Sequence, residues 1–221
     1  MACSSGRSGP PASDVAGTPP WPEDEIMTYR LVDDDGKQLA VGRLIVEVSQ
    51  ATGQTTLRQR FESETTEDSI DVVVDSRTLK PVSSRREIIN DNPDDEDLIE
   101  VMYTEAGASV TIGDRQTGLS VPEHAYDNDS SLFLWRTLPF AEGYEGSYVT
   151  VITNRRSRQD VVLSVPRKET VTVPAGTFDC WRLEIATENA RQVAWYADTP
   201  ARPLIRYDND RDVIFELTSR P

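Results

Sequence analysis

Leu44-Ile-Val-Glu-Val-Ser49, Gln50-Ala-Thr-Gly53 and Gln54-Thr-Thr-Leu-Arg-Gln-Arg-Phe-Glu62 form the stretch that decides the fold. Leu44, Val46 and Val48 alternate with Ile45, Glu47 and Ser49. After Thr52-Gly53, Leu57, Gln59 and Phe61 alternate with Arg58, Arg60 and Glu62. A period of two over short segments marks half-buried strands, and a Gly-based reversal between two of them marks an antiparallel hairpin. The pattern spreads outward. Ile70, Val72 and Val74 repeat it, as do Trp181, Leu183 and Ile185, and Val213, Phe215 and Leu217. Asp35-Gly36, Ala106-Gly107, Ala175-Gly176 and Asp208-Asn209-Asp210 supply further turns. Spacing of about 10–15 residues between turn signals predicts a meander of long hairpins.

One stretch departs from it. Ala125 to Phe140 carries Asp127-Asn-Asp-Ser130, then Leu132, Phe133, Leu134, Trp135 and Leu138. Asp or Ser can cap a helix start and Pro139 suits its end, so this stretch predicts one short helix of about two turns. Its apolar side is expected to plug one end or face of the sheet, and over 132–138 it is the expected lid or plug of any ligand site. The fold class expected is mainly β: one strongly curved antiparallel sheet, or an unclosed β-barrel, with one short helix.

The 221 residues divide into a flexible tether over 1–22, rich in Gly, Pro, Ser and Ala, and a single antiparallel β domain over 23–221. Tether composition of this kind buries too little apolar surface to order itself. No apolar run approaches the length of a membrane-spanning helix. The net charge of −15 argues against nucleic acid, which wants a basic stripe, and against adhesion to anionic lipid head groups. Twenty of the 23 basic residues are Arg, and the acidity reads as a solubility device.

Cys3 follows a small residue and precedes the flexible tail, which is how a mature bacterial lipoprotein begins. An apolar leader would be removed ahead of such a Cys, and Met1 then reads as an added initiator. Lipid on Cys3 is the expected membrane attachment, on the extracytoplasmic side. Cys180, in an apolar strand, reads as a small buried hydrophobe, and two cysteines make no disulfide framework.

Reactive groups are sparse. His124 is the one histidine, with no Gly-x-Ser-x-Gly elbow to accompany it, and it reads as a loop residue. No zinc-ligand spacing exists. The acidic runs Asp33 to Asp35, Asp91 to Asp97 and Asp208 to Asp212 offer hard oxygen ligands without EF-hand spacing, and they read as charged hairpin tips. Among 38 acidic residues some close pairs are certain, but nothing selects two for hydrolysis. No catalytic residue, metal ligand or cofactor is therefore assigned. Aromatic and apolar residues remain: Leu134, Trp135, Trp181, Trp195 and Tyr207 are the candidate ligand-binding set, since a curved sheet with inward aromatics can hold an apolar molecule. Phe178, Trp181, Leu183 and Trp195 are expected to be mostly buried, with Trp181→Ala losing about 3–5 kcal/mol.

The run Glu169-Thr-Val-Thr-Val-Pro-Ala-Gly-Thr-Phe-Asp-Cys-Trp-Arg-Leu-Glu184 is followed by Ala194-Trp-Tyr-Ala-Asp198, Pro203-Leu-Ile-Arg-Tyr207 and Phe215-Glu-Leu-Thr218. This order resembles the exported bacterial family catalogued as domain of unknown function 3108. Leu79 with Pro81, and Trp135-Arg-Thr-Leu-Pro139, are similar to it as well. The resemblance spans about Thr28 to Ser219 and is most specific from Glu169 onward. It implies an extracytoplasmic, nearly all-antiparallel curved sheet, similar in outline to periplasmic lipoprotein and lipid carriers, and supplies no catalytic residues.

Three functions are compatible with these readings. The first is a lipid-anchored binding or carrier module for a lipid or other apolar ligand. The second is an envelope structural or protein-interaction module with a filled core. The third is a carboxylate-based hydrolase. A cavity of several hundred Å³ would favour the first. A buried carboxyl pair in a cleft would favour the third.

Overall fold

Alternation carries straight through into strand pairing. The computed structural model describes residues 10–21, 24–91 and 97–219. Eight strands form a first antiparallel meander: β1 (Glu25–Val32), β2 (Gln38–Ser49), β3 (Gln54–Glu62), β4 (Thr66–Asp75), β5 (Pro81–Asn90), β6 (Asp97–Thr104), β7 (Gly107–Ile112) and β8 (Arg115–Leu119). The short β9 (Ala125–Asp127) then pairs in parallel with β10 (Tyr144–Ile152). A second antiparallel meander follows through β11 (Ser157–Val173), β12 (Gly176–Ala186), β13 (Arg191–Ala197), β14 (Leu204–Asp208) and β15 (Ile214–Ser219). β15 pairs with β1, which joins both meanders into one fifteen-stranded sheet with β8 and β9 at its edges. Those edges are adjacent in sequence but share no backbone ladder, so the barrel is unclosed at that seam.

Register follows the sequence pattern. Val46 faces Leu57, which faces Val72, and all three are buried on the inner face. Gly53 turns the first quoted hairpin at φ +66°, a conformation that favours glycine. At Gly107 a Cβ would lie 2.4 Å from the Leu119 carbonyl oxygen, so only glycine lets β7 approach the edge strand this closely.

The expected helix is present as a continuous helical segment over residues 128–137. A 3₁₀ turn (Asn128–Ser130) leads into α1 (Ser131–Leu134), and a second 3₁₀ turn (Trp135–Thr137) ends it just before Pro139. Asp127 caps the start, its Oδ1 accepting from the Asp129 N–H at 2.8 Å. Phe133, Leu134 and Leu138 are fully buried inside the curve of the sheet. Their burial stabilises this plug by roughly 5–9 kcal/mol, at about 1.5–3 kcal/mol per side chain. Arg136 anchors it. The guanidinium pairs with Glu25 at the start of β1 and donates to the Ala201 and Arg202 carbonyls at 2.6 and 3.1 Å.

The tether expected over residues 1–22 is corrected for its second half. Val15 and Trp21 are buried against the main core, and Arg136 stacks over the Trp21 ring at 5.0 Å. The Ser13 N–H donates to the Ser147 carbonyl at 2.8 Å, and the Gly17 N–H to Thr137 Oγ1 at 3.0 Å. Two large apolar side chains suffice to dock a segment whose average composition predicts none. Cys3 lies outside the described residues.

Candidate functional site

A cavity of about 410 Å³ opens at one end of the barrel, between the helical segment and the sheet. Its floor is aromatic and aliphatic: Trp135 and Leu132 from the helical segment, Val161 and Ile185 from β11 and β12, Tyr207 and Phe215 from β14 and β15. Cross-strand register sets these neighbours, since Tyr207 stands opposite both Ala194 and Phe215. Trp135 and Tyr207 lie 6.1 Å apart between ring centroids, and Tyr207 meets Phe215 edge-on at 5.4 Å. Below them the Trp135 indole N–H donates to Tyr148 Oη at 3.0 Å, and burial pushes that phenol up to about 12.

The rim is polar. The turn between β10 and β11 contributes Asn154 and Arg155, that between β12 and β13 contributes Asn189, and that between β14 and β15 contributes Asn209 and Arg211. Gln159 and Gln192 stand on β11 and β13 just inside, and Gln59 and Arg86 close the opposite wall from β3 and β5. Thr150, only 2% exposed, lines the wall with an Oγ1 that finds no partner among the described residues. Arg86 is held bidentately by Asp68 at 2.9 and 2.6 Å.

Asp129 is the single carboxylate in the wall among the described residues. Burial raises its pKa, while the Arg86 charge works against the rise. Its neighbour Asp127 is fully buried, and its pKa is also raised, by burial first and by the Asp129 charge second. Tyr103 of β6 donates to Asp127 Oδ2 at 2.6 Å, so this carboxyl stitches the seam between the two halves of the open sheet. Asp127 is not part of the cavity wall. A two-carboxyl hydrolase needs both groups flanking the scissile bond; here one faces the cavity and the other is spent on the helix cap and the seam. The acidic tips at Asp33 and Asn209 are occupied by turn chemistry: Asp33 Oδ1 accepts from the Asp35 and Lys37 N–H groups, and Asn209 Oδ1 from those of Arg211 and Val213.

Of the five candidate ligand-binding residues, the structure brings Trp135 and Tyr207 into the wall. Leu134 is packed into the core, and Leu132 takes the wall position instead. Trp195 belongs to the outer face. It stands between Arg182 and Arg206 across β12, β13 and β14, both guanidiniums lie over its ring, and its indole N–H donates to Glu169. The inward residue is its neighbour Tyr196, whose hydroxyl donates to the Leu132 carbonyl at 2.9 Å. Trp181 sits at the opposite end of the barrel, six residues along β12 from Thr187, roughly 20 Å away. There it stacks on Phe140 at 6.2 Å under the Lys168 ammonium, and it is only partly buried. The wall residues that sequence reasoning leaves unassigned are Arg86, Thr150 and most of the carboxamides.

The family model described as "Protein of unknown function (DUF3108)" matches residues 27–213. No curated protein matches the chain. Among solved structures, the chain is similar to a beta-barrel-like protein of domain of unknown function DUF1849 from Brucella abortus. The TM-score is 0.52 at 10% identity, over 90% of this chain and 97% of that one. That likeness shows the shared barrel-like fold. A presumed lipoprotein from Parabacteroides distasonis gives a TM-score of 0.37 at 14% identity, covering 95% of this chain and 100% of that one.

Proposed function

We propose that this chain, which belongs to the DUF3108 family, is a binding or carrier module that holds one small amphiphilic ligand in the cavity between its curved sheet and the helical segment. The observation that carries the reading is the cavity itself. Its volume falls within the roughly 300–1,000 Å³ of small-ligand sites, and its floor is built from Trp135, Tyr207 and Phe215. At the lower end of that range it suits one compact group of a single-chain amphiphile, its acyl chain or the ring of its head, not a two-chain phospholipid. A filled-core scaffold has no use for such a space. Placement in the cell envelope rests on Cys3 and the composition of the tail after it. If Cys3 carries the lipid anchor, Cys3→Ala in protein exported through its own leader releases it from membranes into the soluble fraction.

The binding test is a panel of single-chain amphiphiles read by thermal shift and tryptophan fluorescence. A ligand that binds only the folded state raises the melting temperature. Trp135→Phe should remove most of the fluorescence response while keeping the thermal shift. If no amphiphile produces either signal, the cavity is not a ligand site.

A further inference from the structure

The cavity wall is chemically unlike the rest of the chain. Seven of the twelve described Asn and Gln side chains line it, against one of the 34 described carboxylates. A carboxamide both donates and accepts hydrogen bonds, and so does a hydroxyl; an anion only accepts and a cation only donates. A wall enriched in amides is therefore matched to a ligand rich in hydroxyls. Turn chemistry explains part of the enrichment, because Asn209 caps its own hairpin. It does not explain Gln159 and Gln192, whereas Gln59 donates to the Asp129 carbonyl of the helical segment. Gln59, Gln159 and Gln192 occupy inward strand positions, in phase with Leu57, Val161 and Ala194, where alternation calls for apolar residues. Asn154, Gln159, Asn189 and Gln192 make no side-chain hydrogen bond among the described residues. The buried Thr150 hydroxyl adds a fifth such group.

The arginines do not build an anion site. Arg86 is neutralised by Asp68 and Arg211 is flanked by Asp210 and Asp212, which leaves Arg155 as one exposed cation on the rim. Resting on the ligand-site reading above, we propose that the cavity recognises a neutral, hydroxyl-rich head group of the glycoside type. Its ring would lie near Trp135 and Tyr207, and its hydroxyls would meet Gln159, Asn189, Gln192 and Thr150.

The test compares decyl maltoside, decanoate and decylphosphocholine below their micellar concentrations, with maltose as the chain-free arm, by titration calorimetry. Decyl maltoside is expected to bind tightest. The triple variant Gln159→Ala, Asn189→Ala, Gln192→Ala should weaken it by on the order of 30- to 100-fold, as three hydrogen bonds of ordinary strength imply. The same variant should leave decanoate within about twofold. Binding by maltose alone supports the head-group assignment and shows that the chain is dispensable. Decanoate or decylphosphocholine binding as tightly as decyl maltoside overturns the head-group assignment while the ligand site stands. Failure of all four overturns the ligand site, and the head-group proposal with it. Circular dichroism and the melting temperature of the triple variant check that it folds.

Discussion

Arg136→Ala tests the framework under the cavity most directly. The side chain is 1% exposed, and its partner Glu25 is 14% exposed. Removing the guanidinium leaves a largely buried carboxylate without its counter-charge, and the Ala201 and Arg202 carbonyls lose their donors. It also uncovers one face of Trp21. Breaking a buried pair from one side typically destabilises by about 3–5 kcal/mol, and the two unpaired carbonyls argue for the upper half of that range. Urea unfolding followed by tryptophan fluorescence reads the change. With m near 2–3 kcal/mol/M for a domain of this size, the midpoint should fall by roughly 1–2.5 M. The double variant Glu25→Gln, Arg136→Met should lose less than Arg136→Ala alone, because no charge is left buried. A loss below about 1 kcal/mol at unchanged m would refute the reasoning, and Arg136 would then be a bystander to the plug.

Four further outcomes follow from named residues. Trp181→Ala should lose only about 1–2 kcal/mol in the same assay, because the ring is partly exposed and gives up one stacked partner, one cation–π contact and an exposed hydrogen bond to Asp198. Tyr196→Phe, which removes a buried hydroxyl bond to Leu132, should lose about as much for a far smaller change. The Asp127 carboxyl, raised to about 7 in the folded chain, favours folding while protonated. Its contribution is fully present below the unfolded carboxylate pKa near 4 and is lost as pH rises through about 7. Melting temperatures measured across that window should therefore fall less steeply in Asp127→Asn than in the parent, and parallel curves would exclude the effect. Burial pushes the Cys180 thiol up to about 12. In a Cys3→Ala background a disulfide reagent at pH 8 should therefore react only as fast as the domain unfolds, and instantaneous reaction would place the thiol at the surface.

Strand existence and strand phase were legible to different degrees. Leu44, Val46, Leu57, Ile70, Val72 and Val74 each stand on the face that alternation assigns. β13 defeats the same reading, because Ala194, Trp195, Tyr196 and Ala197 are all buried. The inner residues are covered by the core, but Trp195 is covered by the Arg182 and Arg206 guanidiniums on the outside. Long basic side chains can shelter an outward aromatic as effectively as a core does. A single strand's sequence does not say which of two adjacent aromatics faces in. The N-terminal segment failed for a related reason: Val15 and Trp21 are invisible in an average over twenty small and polar residues, yet each meets a slot that the fold creates far away in sequence.

The site was the least legible part, and its composition shows why. Its polar wall is assembled from hairpin ends and strand positions that become neighbours only when β15 closes on β1, and no spacing along the chain records that closure. What the sequence does display is a set of exceptions. Gln59 stands between Leu57 and Phe61, Gln159 two residues before Val161, and Gln192 two before Ala194, each in the inward phase. Read singly, such an exception is a strand end or a tolerated polar residue. Gln59 is satisfied within the fold, its Nε2 donating to the Asp129 carbonyl, but Gln159 and Gln192 meet around one cavity beside a buried hydroxyl without a partner among the described residues, and an inward amide must satisfy its donors and acceptors or destabilise the fold. A sheet this long has ample capacity to fill its interior with valine and isoleucine, as it does from Val46 to Val74. That it places Gln159 and Gln192 facing inward instead is the physical reason to look for what they bind.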